Sequence, residues 1–353
     1  MAINNKSKTM LFPRIGKSII IFVAIAFIIA GIIGYRFYMY AFKENATTDY
    51  ILLIPDNASY NDIFAKLKKD DVLINYNAFK WVAKKKNYPE NVKQGRYKIE
   101  KGMNTNQIVN KLIGGLQDPV NVTFNNLRFN EDLAGRVSKY LQADSVDILG
   151  LFQDTALVKK YGFTPETFRA MFIPNTYEFY WTTSAGEFAD RMKKEYERFW
   201  TEERREKAAA MNLKPEEVIT LASIVQSETA KKDELKRVAG LYVNRLQKGM
   251  LLQADPTVKY AVGDFSLRRI LYKHLEIDSP YNTYKYAGLP PGPINFPETS
   301  SINAVLDYED HKYIYMAAKE DFSGYHNFAS TLTEHNRNAA KYQRALNEKK
   351  IYK

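Results

Sequence analysis

Few side chains in this chain could make or break a covalent bond. There is no cysteine, which excludes a thiolate nucleophile, a disulfide and a Cys-ligated metal. The four histidines, His274, His311, His326 and His335, lack metal-ligand spacing, so no metal site is expected, and packing or surface roles are the default for each. His326, in Gly324-Tyr-His-Asn-Phe328, is the best placed of them to touch a substrate. Ser223 has no Gly-x-Ser-x-Gly elbow around it, which argues against a serine hydrolase. No glycine-rich phosphate loop follows a strand. What remains is carboxylic acid–base chemistry, and Glu228 is the carboxyl whose setting fits it.

Glu228 closes the stretch Pro215 to Thr229. Pro215 at a first helical position, followed by Glu216 and Glu217, signals a helix start, because proline is tolerated there and acids complement the free N–H groups. Leu221, Ile224, Val225 and Glu228 then fall at i, i+3, i+4 and i+7, on one helical face. A carboxyl in line with an apolar stripe has its charged form disfavoured and its pKa raised. A general acid working near neutral pH requires that. The alternative is a half-exposed acid paired with Lys231, Lys232 or Lys236. Gln226 points along Ala222 and Ser223 instead.

The elements that must hold this helix read as an α+β chain. With 353 residues and 45% apolar content, there is room for two or three domains and a sizeable core. Ser18 to Tyr35 carries no charge and spans roughly 27 Å as a helix, about a bilayer core. Lys6, Lys8, Arg14 and Lys17 precede it and aromatic residues follow. The expected organisation is therefore a cytoplasmic segment (1–17), an uncleaved transmembrane anchor (18–40) and everything after it outside the membrane. A short polar linker follows at 45–49. Residues 45–125 alternate strand and helix patterns in a small α+β module with an open sheet, its last strand at Val120–Phe124. Residues 126–353 form a larger mixed domain. In it, Phe172–Trp181 reads as a buried loop wedging two helices and Asp190 to about Ala209 as one long helix. Tyr313–Ala317 with Gly324–Phe328 reads as a hairpin and Thr333–Lys349 as a closing helix. The net charge of +11 fits an anionic lipid or acidic polymer. Without a recognition-helix or aromatic–basic RNA signature, nucleic acid is not an expected partner.

Four ordered blocks then stand out: Leu221-Ala-Ser-Ile-Val-Gln-Ser-Glu-Thr229, Leu252-Gln-Ala-Asp-Pro-Thr257, Tyr281-Asn-Thr-Tyr284 and Gly288-Leu-Pro-Pro-Gly-Pro-Ile294. In order and spacing, behind an N-terminal anchor, they resemble the YceG-like family of endolytic murein transglycosylases. The family's catalytic Glu matches Glu228. Many members carry Glu at the position of Gln226, where this chain departs. The segment 50–100 is similar to the family's LysM-like module, which implies glycan binding outside the membrane. The resemblance implies cleavage of the β-1,4 bond between N-acetylmuramic acid and N-acetylglucosamine, with a 1,6-anhydromuramoyl end as product.

A single carboxyl suffices for such a reaction, whereas a hydrolase usually pairs an acid with a nucleophile or base. Glu228 would protonate the leaving oxygen and its carboxylate would then take the proton of the attacking C6 hydroxyl, with no metal or cofactor. Gln253, Asp255, Asn282 and Tyr284 are the candidates for positioning the sugar, and Asp255 has a turn or cap role before Pro256 as its alternative. The resemblance also implies a single-pass inner-membrane protein facing the periplasm and association with peptidoglycan synthases. The rival reading is a non-catalytic glycan-binding scaffold that recruits those synthases.

Overall fold

The computed structural model describes residues 15–267 and 270–349, and the chain divides into two compact units at Pro119/Val120. The expected cytoplasmic residues Lys6, Lys8 and Arg14 lie outside the described residues.

The first unit opens with α1 (Ile15–Ala41), whose stretch Ile19–Ala41 is long and apolar enough to cross a membrane, its most apolar part unburied and Ala41 at its end buried. Its C-terminal aromatic residues do more than mark an interface. Phe37 and Tyr40 set their rings edge-on to Trp81 at 5.5 and 6.1 Å. The polar residues that follow are not a loose linker. Asn45 is buried, donates to the Thr105 hydroxyl and the Asn75 carbonyl, and accepts the Asn75 N–H. Composition signals polarity, but a buried amide with all of its groups satisfied behaves as core.

Beyond it run β1 (Tyr50–Ile54), α2 (Tyr60–Lys69), α3 (Tyr76–Lys85), β2 (Gly95–Ile99) and α4 (Thr105–Gly114). Capping fixes each helix start. Ser59 and Asp62 form a reciprocal box before α2, Asn75 accepts the Ala78 N–H at α3, and Asn104 and Gln107 box α4. β1 and β2 pair antiparallel from Tyr50 against Ile99 to Ile54 against Gly95. Their inward residues Leu52, Ile54, Tyr97 and Ile99 pack with Leu67, Phe79 and Leu112.

The second unit begins with β3 (Val120–Phe124), which sequence reading placed at the end of the small module. It pairs instead with β4 (Asn175–Phe179), Val120 opposite Phe179 and Phe124 opposite Asn175. Alternation identifies a half-buried strand but not its partner. Here the partner follows Pro174, inside the stretch expected to be a loop. Between the two strands lie α5 (Asn130–Val137), α6 (Ser145–Gly150) and α7 (Thr155–Lys160). The long helix expected over 190–209 is two, α8 (Ala185–Phe199) and α9 (Glu202–Ala210). The chain turns at Trp200, which is buried, and Thr201 caps the second helix.

The remaining elements are α10 (Pro215–Glu228), α11 (Leu235–Gln247), α12 (Asp255–Val262), α13 (Tyr272–Leu275), α14 (Thr299–Leu306), the antiparallel hairpin of β5 (Tyr315–Ala318) and β6 (His326–Ala329), and α15 (Leu332–Glu348). α10 is the centre of this unit. Every residue from Val218 to Val225 is buried, so the helix is enclosed on all sides and not along one stripe. Its hydroxyls are satisfied locally: Thr220 donates to the Glu216 carbonyl and Ser223 to the Thr220 carbonyl. The core around it joins residues from β3, α8, α11 and α14 in one cluster.

Candidate active site

Glu228 is the last residue of α10, where the buried helix runs out beside a cavity of about 280 Å³. Its residue-level exposure is intermediate, because the carboxyl opens to the cavity while its other sides face protein. The Tyr242 hydroxyl, on α11, donates to Oε1 at 2.7 Å. Among the described residues no lysine pairs with Glu228, so the alternative of an ion pair with Lys231, Lys232 or Lys236 does not describe the fold.

Desolvation dominates the electrostatics. It pushes the Glu228 carboxyl up from 4.5 to about 7, with the charge of Asp255 acting in the same direction. The Tyr242 hydrogen bond and the cations Arg245 and Lys259 oppose it. A carboxyl with this pKa is protonated in about half of the molecules at pH 7 and can give that proton up, as a general acid must. Tyr242 is itself pushed well up by burial and by the neighbouring Glu228, so it stays a donor.

The cavity is built by loops held onto two helices. Arg245, 7% exposed, lies one turn along α11 from Tyr242. Its guanidinium donates to the carbonyls of Ile314, Leu251 and Leu252 and to Oε1 of Gln253. One buried cation thus ties the hairpin and the 251–254 loop to the helix. Gln253 has left-handed φ of 51°, an uncommon conformation for a residue with a β-carbon. The second loop docks through threonines. Thr283 receives the Ala254 N–H on its hydroxyl, contacts the Thr257 hydroxyl at 2.8 Å and accepts the Gln253 N–H on its carbonyl. That docking presents Tyr284, whose hydroxyl donates to Asp255 Oδ1 at 2.7 Å.

Of the six residues singled out in the sequence, Glu228, Gln253, Asp255, Tyr284 and His326 line this one cavity. Asn282 does not. It is fully buried, its amide donates to the carbonyls of Leu275 and Ile277, and its Oδ1 accepts the Tyr284 N–H. Its work is to shape the loop that carries Tyr284. Asp255 is the first residue of α12, so it has the helix-start place that was its alternative and also faces the cavity. Gln226 is turned away. Its Oε1 accepts the Glu298 N–H and the Ser301 hydroxyl at the start of α14, joining the central helices. Three residues were missed as site residues: Tyr242, Arg245 and Glu234. Tyr242 shares one helical face with Leu235, Val238, Ala239 and Leu246, so its spacing reads as packing. The available signal is the i, i+3 pair Tyr242/Arg245, two polar tips on that apolar face.

A second cavity, of about 450 Å³, lies on the other side of the α10 terminus. Gln226 and Ser227 line it where Glu228 lines the first, as do Pro256 and Lys259 where Asp255 lines the first. Its walls include Phe129 and Phe265, ring to ring at 5.0 Å, with the Arg128 guanidinium 4.4 Å over Phe265. Among the described residues no group of His, Asp and Glu could hold a metal ion.

With this geometry in hand, comparison with known proteins is direct. The model of the YceG-like family matches residues 52–341. The endolytic murein transglycosylase of Bacillus subtilis is 31% identical over 327 residues, covering 87% of this chain and 88% of that protein. The endolytic murein transglycosylase of Streptococcus pneumoniae is 27% identical over 360 residues, and the match spans 91% of this chain but 64% of that longer protein. The crystal structure of a YceG-like protein from Listeria monocytogenes superposes with a TM-score of 0.53 at 31% identity, covering 82% of this chain and 98% of that one. A family match across most of the chain, together with a relative of similar length above 30% identity, establishes that this chain belongs to the YceG-like family.

Proposed function

We propose that this protein is a membrane-anchored lytic transglycosylase that cleaves the β-1,4 bond between N-acetylmuramic acid and N-acetylglucosamine within peptidoglycan strands. The product is a 1,6-anhydromuramoyl end, and cutting nascent strands limits their length. The observation that carries this reading is the cavity-facing carboxyl of Glu228, pushed up to about 7 by burial and contacted by Tyr242. Such a group protonates the leaving oxygen at neutral pH. Gln253, Asp255, Tyr284 and His326 contact the sugar from the same cavity, with Asn282 supporting the loop behind Tyr284. Relatives named endolytic murein transglycosylases support the substrate class.

The strand extends from the Glu228 cavity into the neighbouring one, where Phe129 and Phe265 offer ring faces to a saccharide and Arg128 and Lys259 offer cations to its carboxylates. The strand–helix–helix–strand unit at 50–99 acts as the LysM-like glycan-binding module. A cavity of about 580 Å³ between the loop after β1 and the loop before β2 supports that role. α1 is the single-pass anchor in the bacterial inner membrane, with the basic N-terminus cytoplasmic and the enzyme periplasmic. In that place it works beside peptidoglycan synthases of the elongation or division machinery. No cofactor is needed. The test is digestion of purified peptidoglycan followed by mass analysis. Anhydro ends are expected, and reducing-end muramic acid would reject the reaction type.

A further inference from the structure

The cavity beside Glu228 contains a polar device that single-carboxyl chemistry leaves unused. Glu234, just before α11, is 3% exposed. Its carboxylate accepts the His326 backbone N–H at 2.8 Å, contacts His326 Nδ1 at 3.0 Å and accepts the Thr229 hydroxyl at 3.2 Å. With a neutral ring and Glu234 as the acceptor, the hydrogen of this contact belongs to Nδ1 and Nε2 presents a lone pair. The His326 ring lines the same cavity as Glu228, and among the described residues Nε2 makes no hydrogen bond. Thr229 directly follows Glu228. One buried carboxylate therefore steadies both the end of the helix bearing the acid and the ring that shares its cavity.

We propose that Glu234 and His326 form a pair whose Nε2 lone pair accepts the N–H of the acetamido group on the sugar being cleaved. His326 touches the substrate and Glu234 is a positioning residue. This rests on the glycan-cleaving reading above. An anhydro end places the new C1–O6 bond on the face that the leaving O4 vacated, the outcome that two displacements give, with a temporary bond to C1 from the opposite face. Asp255, the other acid in the cavity, is engaged by the Tyr284 hydroxyl. The sugar's own acetamido oxygen is the nucleophile that remains, as in substrate-assisted glycosidases.

In the first displacement the acetamido oxygen bonds to C1, the C1–O4 bond breaks, and O4 takes the proton of Glu228. Positive charge then spreads onto the acetamido nitrogen. In the second, O6 bonds to C1, the bond from C1 to the acetamido oxygen breaks, and the O6 proton returns to Glu228. His326 gains and loses no proton. Its lone pair holds the N–H, and the Glu234 carboxylate behind the ring balances the developing charge, preorganised before the reaction begins.

The test uses the full chain in detergent and the thiazoline of N-acetylglucosamine, a stable mimic of the bicyclic intermediate whose ring nitrogen carries the N–H and the positive charge once protonated, with N-acetylglucosamine as reference. Calorimetry should show that the wild type prefers the thiazoline. Glu234→Gln and His326→Phe should each lose about ten- to hundredfold of that preference, because affinity for the thiazoline falls further than affinity for N-acetylglucosamine. A second measurement needs no variant to fold: nitrogen-15 NMR of the histidines in the wild type should find His326 protonated at Nδ1 and bare at Nε2. A proton on Nε2, or a thiazoline preference that is absent in the wild type or unchanged in Glu234→Gln, overturns the pair. If peptidoglycan digestion gives anhydro ends while either result holds, the pair alone falls. If it gives none, both readings fall.

Discussion

Replacing Glu228 by Gln separates two consequences of one buried carboxyl. The folded protein holds this proton up to about pH 7, whereas an unburied glutamate carboxyl, as in the unfolded chain, has the ordinary value of 4.5. Between these two values the folded state binds a proton that the unfolded state has released. Stability from this group is therefore intact below about pH 4.5, falls as pH rises through the interval, and is fully lost above about 7. At about 1.4 kcal/mol per pH unit the loss amounts to at most about 3 kcal/mol, reduced where cavity water screens the charge. Gln cannot ionise, and its amide oxygen can still accept the Tyr242 hydroxyl. Glu228→Gln should thus match the wild type in stability near pH 4.5 and exceed it by about 2–3 kcal/mol at pH 8, read by urea denaturation of the protein in detergent across that range. The same variant should lose about 10²- to 10⁴-fold in peptidoglycan turnover, the usual contribution of a general acid. Wild-type activity should fall about tenfold per pH unit above 7 as the acid ionises. A stability gap that does not change with pH would refute the burial argument. Near-normal turnover by Glu228→Gln would refute the catalytic role.

Tyr242→Phe removes the donor that favours ionised Glu228, so the alkaline limb of the pH–rate profile should move upward, and a downward move would sink the assignment. Asn282→Ala deletes three hydrogen bonds of a buried side chain and should cost about 2–4 kcal/mol of stability in denaturant melts, whereas a direct sugar contact would show mainly as weaker substrate binding in a stable protein. Gly240 lies on α11 where an added Cβ would fall against the Glu309 carbonyl and the His311 ring, so Gly240→Ala should destabilise by about 1–3 kcal/mol, and a neutral melt would contradict that packing. Ser184→Ala breaks the capping box of α8 and should cost about 1 kcal/mol without altering the pH–rate profile.

The sequence by itself determined those features that are local in the chain. The start of α10 follows from Pro215 and the two acids after it, the apolar run of α1 from its own composition, and the β5–β6 hairpin from short alternating stretches. The placing of Glu228 at the end of an apolar helix was also legible, because helical spacing is a local property. Only the tertiary structure decided the partners. β3 gave no sign that it pairs with β4 beyond fifty intervening residues, since alternation encodes a face and not a neighbour. Asn45 reads as part of a polar linker and Asn282 as a sugar contact, yet both are buried because their amide groups find protein partners that chain order does not reveal. The same limit hid Tyr242, Arg245 and Glu234. Each belongs to the candidate site only because α11 is packed beside α10 and the hairpin folds back over both, which brings an acid, its hydroxyl donor and a histidine with its carboxylate to one cavity.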